Sequence, residues 1–182
     1  MSSRAALASS LVLLLACSAS SPSPLQRSEG EWLSASDPTT APDGVIPQAF
    51  IASESSTEAW EHAREALSFS AVSPRRRSQH FAGNLEGVIS VNAKAEGYPR
   101  LGPALRLPPG SILVEAHYDA AAQDPTTFLA MEKRAPGYDP GFGDWEYFIL
   151  SSTGEVAARG KLLACRRCHA EAPHDGVFGV WQ

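Results

Sequence analysis

Cys165-Arg166-Arg167-Cys168-His169 is the stretch of this sequence best equipped to do chemistry. The spacing C-x-x-C-H is that of the c-type haem attachment signature. Two thiols one helical turn apart can each form a thioether with one of the two vinyl groups of a porphyrin. The histidine that follows then falls over the iron and offers it a proximal nitrogen. A redox disulfide and a zinc site are the other chemistries open to such a pair. A redox C-x-x-C is expected at the start of a helix in a βαβ unit, whereas this pair lies near the C-terminus with histidine behind it. Zinc needs four good ligands, and the remaining histidines are scattered. One covalent haem c is therefore the expected cofactor, with Cys165 and Cys168 as attachment points and His169 as the iron ligand.

The third and last cysteine, Cys17, has a separate expected role. Arg4 gives a weakly basic start, and an apolar run centred on Leu11-Val12-Leu13-Leu14-Leu15 follows. The run is too short to span a bilayer and fits the core of an export signal over residues 1–16. It ends Leu14-Leu15-Ala16-Cys17, which resembles the lipobox of bacterial lipoproteins. That resemblance implies lipidation of Cys17; cleavage at a small-residue site without lipid is the alternative. Ser18 in place of aspartate points to outer-membrane sorting. Export agrees with the cofactor, because c-type haem is attached outside the cytoplasm, and the expected location is periplasmic, with membrane contact through the lipid alone.

Residues 17–47, rich in Ser, Pro, Ala and Asp, read as a flexible tether. Residues 48–182 are long enough for one domain with its own core. A net charge of -5 argues against a nucleic-acid partner. Arg75-Arg76-Arg77, the single basic run, reads as a solvated loop.

These motifs must be positioned by a small set of elements. Ser55 to Glu58 has the form of a capping box, and Trp60, Ala63 and Leu67 recur at helical spacing behind it. Val88–Asn92, Ser111–Tyr118 and Thr127–Arg134 read as strands, with a helical turn over 93–98 and a Pro-rich loop over 103–110. Trp145–Leu150 and Glu155–Arg159 flank Ser151-Ser152-Thr153-Gly154, a hairpin signal. Lys161 to Ala170 reads as a helix carrying the haem motif. The expected class is α+β, a mainly antiparallel sheet with an N-terminal and a C-terminal helix.

Against that background the chain resembles the cytochrome P-460 family. The resemblance rests on Lys133-Arg134-Ala135-Pro136-Gly137-Tyr138-Asp139-Pro140, Gly143-Asp144-Trp145-Glu146-Tyr147, Gly160-Lys161-Leu162, the C-x-x-C-H motif and Asp175-Gly176-Val177-Phe178. Val91-Asn92, Gly97-Tyr98 and Pro108-Pro109-Gly110-Ser111-Ile112-Leu113-Val114 extend it upstream, so that it covers roughly 79–179. It implies a periplasmic, often dimeric, antiparallel β protein with one haem, five-coordinate at iron, and His169 as proximal ligand. It also implies one of two chemistries. Cytochrome P-460 proper oxidises hydroxylamine and has a lysine cross-linked to the porphyrin, whereas the related cytochromes c′-beta lack the cross-link and bind nitric oxide or carbon monoxide under an apolar cap. The lysine position aligns with Glu115, which cannot form that bond, and the second-sphere acid aligns near Leu129. Both departures argue against hydroxylamine oxidation.

Side chains alternate across a strand, so Leu113, Glu115 and His117 share one face. If that face meets the haem, Leu113 is the candidate distal cap and Glu115 and His117 are candidate distal or second-sphere groups. Burial beside a haem would raise the proton affinity of Glu115 and suit it to relay protons. His62, His80 and His174 read as surface histidines, although each is also open as a sixth iron ligand, Met131 as core, and Trp145 and Tyr147 as packing around the haem or at a dimer interface. Three functions compete. The leading one is a gas-binding haem protein with an open distal site for nitric oxide or a similar small ligand. A six-coordinate electron carrier with a redox partner, using His117 or Met131 as sixth ligand, is the second. A hydroxylamine-oxidising or peroxidase-like enzyme using Glu115 is the third.

Overall fold

Strands that are apolar on both sides need cover on both sides, and this requirement sets the layering of the domain. The computed structural model describes residues 55–179, and Cys17, the export signal and the tether lie outside the described residues. In chain order the elements are β1 (Ser55–Ser56), α1 (Ala63–Ala66), β2 (Ser70–Ala71), β3 (Arg76–Arg77), β4 (Glu86–Val91), β5 (Ile112–Tyr118), β6 (Thr127–Lys133), β7 (Trp145–Ser151), β8 (Val156–Gly160) and α2 (Leu163–His169). The strands form one antiparallel sheet in the order β1-β8-β7-β6-β5-β4-β2, with β3 also paired to β4. From β4 to β8 the sheet is a meander in which each strand pairs with the next. The expected hairpin closes through Gly154 N–H to Ser151 O at 3.0 Å, with Gly154 at φ 86°.

Register fixes which side chains share a layer. Leu113 lies opposite Val91 and Met131, and Glu115 opposite Ile89 and Leu129. This face joins Tyr147, Ile149, Leu162 and Val177 in one apolar cluster, with Cys165 packed against it. The other face carries Ile112, Val114, Ala116, Phe128, Phe148 and Leu150, covered by Trp60, Ala63 and Ala66. Trp60 stacks on Phe148 at 4.1 Å between ring centres, and its indole N–H donates to Glu132 Oε2 at 2.9 Å. The face of β5 bearing Leu113, Glu115 and His117 is thus buried on the side where the helix with the cysteines packs.

Two local expectations change. The helical pattern predicted from Ser55 shrinks to the single turn of α1, because the backbone before it is committed elsewhere. Ser55 and Ser56 pair with Gly160 and Arg159 of β8, and Arg159 Nη1 donates to Ala59 O at 2.8 Å. Ser56 Oγ accepts from Glu58 N–H at 2.9 Å, so the Ser55–Glu58 box is not what starts the helix. Its apolar face nonetheless forms as read, with Trp60 and Ala63 buried and Leu67 packed against them. The arginine run is not a solvated loop: Arg76 and Arg77 pair with Gly87 and Glu86 as β3. Arg75 bonds Glu86 Oε2 (2.6 Å) and the carbonyls of Ala122 and Asp119 while lying over the Tyr118 ring. The carboxylate comes from β4 and the two carbonyls from the segment between β5 and β6, which a local reading of three arginines does not show.

Candidate functional site

The first half of the site is built on α2. Cys165 and Cys168 lie three apart on this helix and so on one face of it. Cys168 is exposed and Cys165 part-buried, and the two thiols are unjoined. Burial, and then the neighbouring Cys168, push the Cys165 thiol up to about 12, so it is a neutral S–H. His169 ends the helix one residue later. Its Nδ1 lies 2.8 Å from the carbonyl oxygen of Gly176 and donates to it. That bond fixes the tautomer and leaves Nε2 with its lone pair, the arrangement seen in metal-ligating histidines, whose other nitrogen is held by a second-shell acceptor. Although part of the ring reaches the surface, protein atoms crowd the rest. This burial, against the pull of the Gly176 carbonyl, brings the imidazole down to about 4 and keeps it neutral.

The carbonyl that holds His169 is itself anchored. Asp175, beside Gly176, accepts from Lys133 Nζ at 2.6 Å and from the Leu107 N–H at 2.8 Å. Its own carbonyl accepts from the Trp145 indole at 2.7 Å. The motif residues Lys133, Trp145, Asp175 and Gly176, distant in sequence, therefore work together to position one imidazole.

The second half of the site comes from β5 and from the turn between β3 and β4. Glu115 Oε2 accepts from His80 Nδ1 at 2.7 Å and lies 3.6 Å from His117 Nε2. His117 is fully buried, and its Nε2 is 3.1 Å from Ser78 Oγ. Ser78 Oγ also accepts the His80 backbone N–H at 3.0 Å. The ligand atoms of His80, Glu115 and His117 lie within 4.8 Å of one another, and the hydrogen bonds take up the contacts that a small cation would otherwise bridge. Burial opposes ionisation of Glu115, but the imidazoles of His117, 3.6 Å away, and of His80, hydrogen-bonded at 2.7 Å, outweigh it and hold the carboxyl well below the usual range. This corrects the expectation of a raised proton affinity. The burial is real, but two imidazoles on one carboxylate decide the sign.

Gly87 makes room for this carboxylate. A methyl group there would sit against Glu115 Oε1, with Glu115 Cδ 2.8 Å away. Gly87→Ala is expected to keep the fold and push Glu115 off His80 and His117. Losing the charge-assisted hydrogen bond to His80 should cost about 1.5–3 kcal/mol, measured by denaturant unfolding. Unchanged imidazole ¹⁵N shifts at His80 and His117 would show that the carboxylate had not moved.

The two halves meet. The His169 ring has Tyr147 at 5.3 Å, Phe178 at 5.7 Å and His80 at 6.3 Å between ring centres. The Tyr147 hydroxyl is buried and has no hydrogen-bond partner among the described residues, and burial drives its pKa upward. A buried unsatisfied hydroxyl beside the His169 ring, in the cluster against which Cys165 packs, fits a site shaped for a bound group. The donor set, two thiols and a neutral imidazole on one helix end, matches haem c.

Of the sequence candidates, Glu115 and His117 lie together in the network, and Leu113 lies in the core cluster with Tyr147 and Cys165. Met131 pairs with Leu113 and Tyr147 in that core. His62 is held by Glu65 at 3.4 Å on α1, at the opposite face of the sheet. His80, read as a surface histidine, is instead central. Its place depends on Arg77 Nε gripping Gly83 O at 2.6 Å and Ser78 N–H donating to Leu85 O, which close the turn that presents it. No local sequence signal announces that. No protein-family model matches the chain, and no curated protein matches it. Among the described residues no helix is long and apolar enough to cross a membrane.

Proposed function

We propose that this chain is an exported, lipid-anchored c-type haem protein of the cytochrome P-460 and c′-beta kind, which binds nitric oxide or a similar small ligand in the periplasm. The observation that carries the reading is His169: directly behind the C-x-x-C pair, neutral, with Nδ1 tied to Gly176 O and Nε2 left for a metal. Cys165 and Cys168 would hold the haem through thioethers and His169 would hold its iron. Such a group supplies a redox-active iron that can bind diatomic ligands.

The chain's own residues do the rest. The Gly176 carbonyl orients the His169 ring and makes it a better donor. Tyr147 and Phe178 pack around that ring and exclude water. On the β5 side, Glu115 is a carboxylate that orients His80 and accepts its proton-bearing Nδ1. Since Glu115 is held ionised, it serves as an acceptor rather than as a proton donor, which weakens the peroxidase-like reading. It also cannot form the porphyrin cross-link that hydroxylamine oxidation implies in the resembled family.

The test is intact mass and optical spectra of the protein produced with a c-type haem maturation system. Covalent haem and a ferrous spectrum that shifts with nitric oxide, without turnover of hydroxylamine, are expected. A chain that leaves maturation without haem, or a ferrous haem indifferent to nitric oxide, would refute the proposal.

A further inference from the structure

We infer that His80 is the second axial ligand of the iron, so that in the resting protein the haem is held between His169 and His80 and a small ligand enters only when His80 yields. The inference rests on the haem reading above and departs from the five-coordinate iron and apolar cap that the resemblance implies.

Two independent observations carry it. The first is spacing. A ligating imidazole nitrogen lies about 2 Å from its metal and the ring centre about 1 Å further, so two imidazoles on opposite sides of one ion have centres about 6 Å apart. The His80 and His169 ring centres are 6.3 Å apart, with their planes 25° from parallel. No other histidine ring is paired with His169 among the described residues. His117, the histidine expected as a sixth ligand, has its Nε2 turned to Ser78 and Glu115 instead.

The second observation is how the two rings are held. Each uses Nδ1 for an acceptor: His169 on the Gly176 carbonyl at 2.8 Å, His80 on Glu115 at 2.7 Å. Each therefore keeps Nε2 for a metal. A histidine backed by a carboxylate is a recurrent metal-ligand arrangement, because the backing fixes the ring and raises its basicity. His80 also has the means to leave. It stands in a surface turn, its side chain 37% exposed, whereas His169 ends α2, whose Cys165 packs against the core cluster. The weaker hold on His80 places the exchange on that side.

The experiment compares ferric and ferrous spectra, and ferric electron paramagnetic resonance, of the haem-loaded protein and its His80→Ala variant. The unmodified protein should be low-spin. His80→Ala should be predominantly high-spin, should bind nitric oxide at least tenfold faster, and should return to low-spin when imidazole is added. Imidazole rescue shows that the variant is folded around its haem, and His80→Gln, which keeps a side chain of similar size, gives the same answer if the alanine variant expresses poorly. High-spin iron in the unmodified protein, or a low-spin spectrum that survives loss of His80, overturns the inference while leaving the haem reading standing. Absence of covalent haem by mass overturns the haem reading itself.

Discussion

A protein carrying Cys165→Ala and Cys168→Ala together is expected to leave haem maturation with no haem that survives denaturation, while each single variant keeps one thioether. The measurement is intact mass together with haem staining of a denaturing gel. The single variants should differ, because the thiols stand in different surroundings. Cys168 is exposed, whereas Cys165 is part-buried against the cluster that contains Tyr147 and Leu113. Attachment through Cys165 alone requires reaching a thiol that is screened and held protonated, so Cys168→Ala should lower the loaded fraction more than Cys165→Ala. In the double variant His169 keeps its Gly176 bond and its free nitrogen. Added haem can still dock there, but without the millimolar effective concentration that a short tether provides. Covalent haem in the double variant would remove the basis of the proposed function.

The same residues show how much of the molecule was legible beforehand. The meander from β4 to β8 was readable because its strands are runs of apolar residues, and because Ser151 to Gly154 carries its turn chemistry locally. The end helix was readable from the spacing of Cys165 and Cys168. What alternation could not supply was which face of β5 would be covered by which helix. Ile112, Val114 and Ala116 make one row and Leu113, Glu115 and His117 the other, and both rows are largely buried. A period of two states that two faces exist but does not say what lies above each. The N-terminal helix was overestimated for a related reason: helical spacing at Trp60, Ala63 and Leu67 describes what is buried there. The hydrogen bonds that shorten the helix come from β8, a hundred residues away.

His80 and Glu115 were illegible in a different sense. A histidine in a polar segment reads as solvated unless the partner is known, and here the partner lies on another strand. Glu115 shares its row with Leu113 and His117, as alternation requires, but its protonation runs opposite to the expectation. Burial alone raises a carboxyl, and the two imidazoles that reverse the result reach it from the β3–β4 turn and from two residues further along its own strand. The site is thus readable at the helix, where spacing carries the chemistry. It is unreadable across the sheet, where register and a turn decide it.

Asp175→Ala is expected to lower stability by about 3–5 kcal/mol, the cost typical of breaking a buried ion pair by removing one partner. For a domain of this size that is a drop in Tm of roughly 10–20 °C. The Asp175 side chain is 2% exposed and the Lys133 side chain 10%. With the carboxylate gone, Lys133 keeps the Trp145 ring at 4.7 Å as a partial partner but loses its anion. The Leu107 N–H loses its acceptor as well. Asp175→Asn separates the two contributions. An amide can still accept one of those hydrogen bonds and tolerates the left-handed backbone at this position, φ 51°, so it should lose less than alanine does. The functional consequence follows from chain geometry: Asp175 immediately precedes Gly176, whose carbonyl holds His169. Releasing Asp175 from Lys133 frees that carbonyl, so haem-loaded Asp175→Ala should show a heterogeneous proximal ligand signal in electron paramagnetic resonance. Lys133→Met, which removes the cation and retains an apolar side chain over Trp145, should destabilise the protein too, because it leaves the buried Asp175 with only the exposed Arg106, at 3.8 Å, as a cationic partner. A double variant, Lys133→Met with Asp175→Asn, should recover part of the loss, since no unpaired charge then remains buried. If the three variants were simply additive, the pair would not be acting as a unit, and the anchoring of His169 would have to rest on the bonds to Trp145 and Leu107 instead.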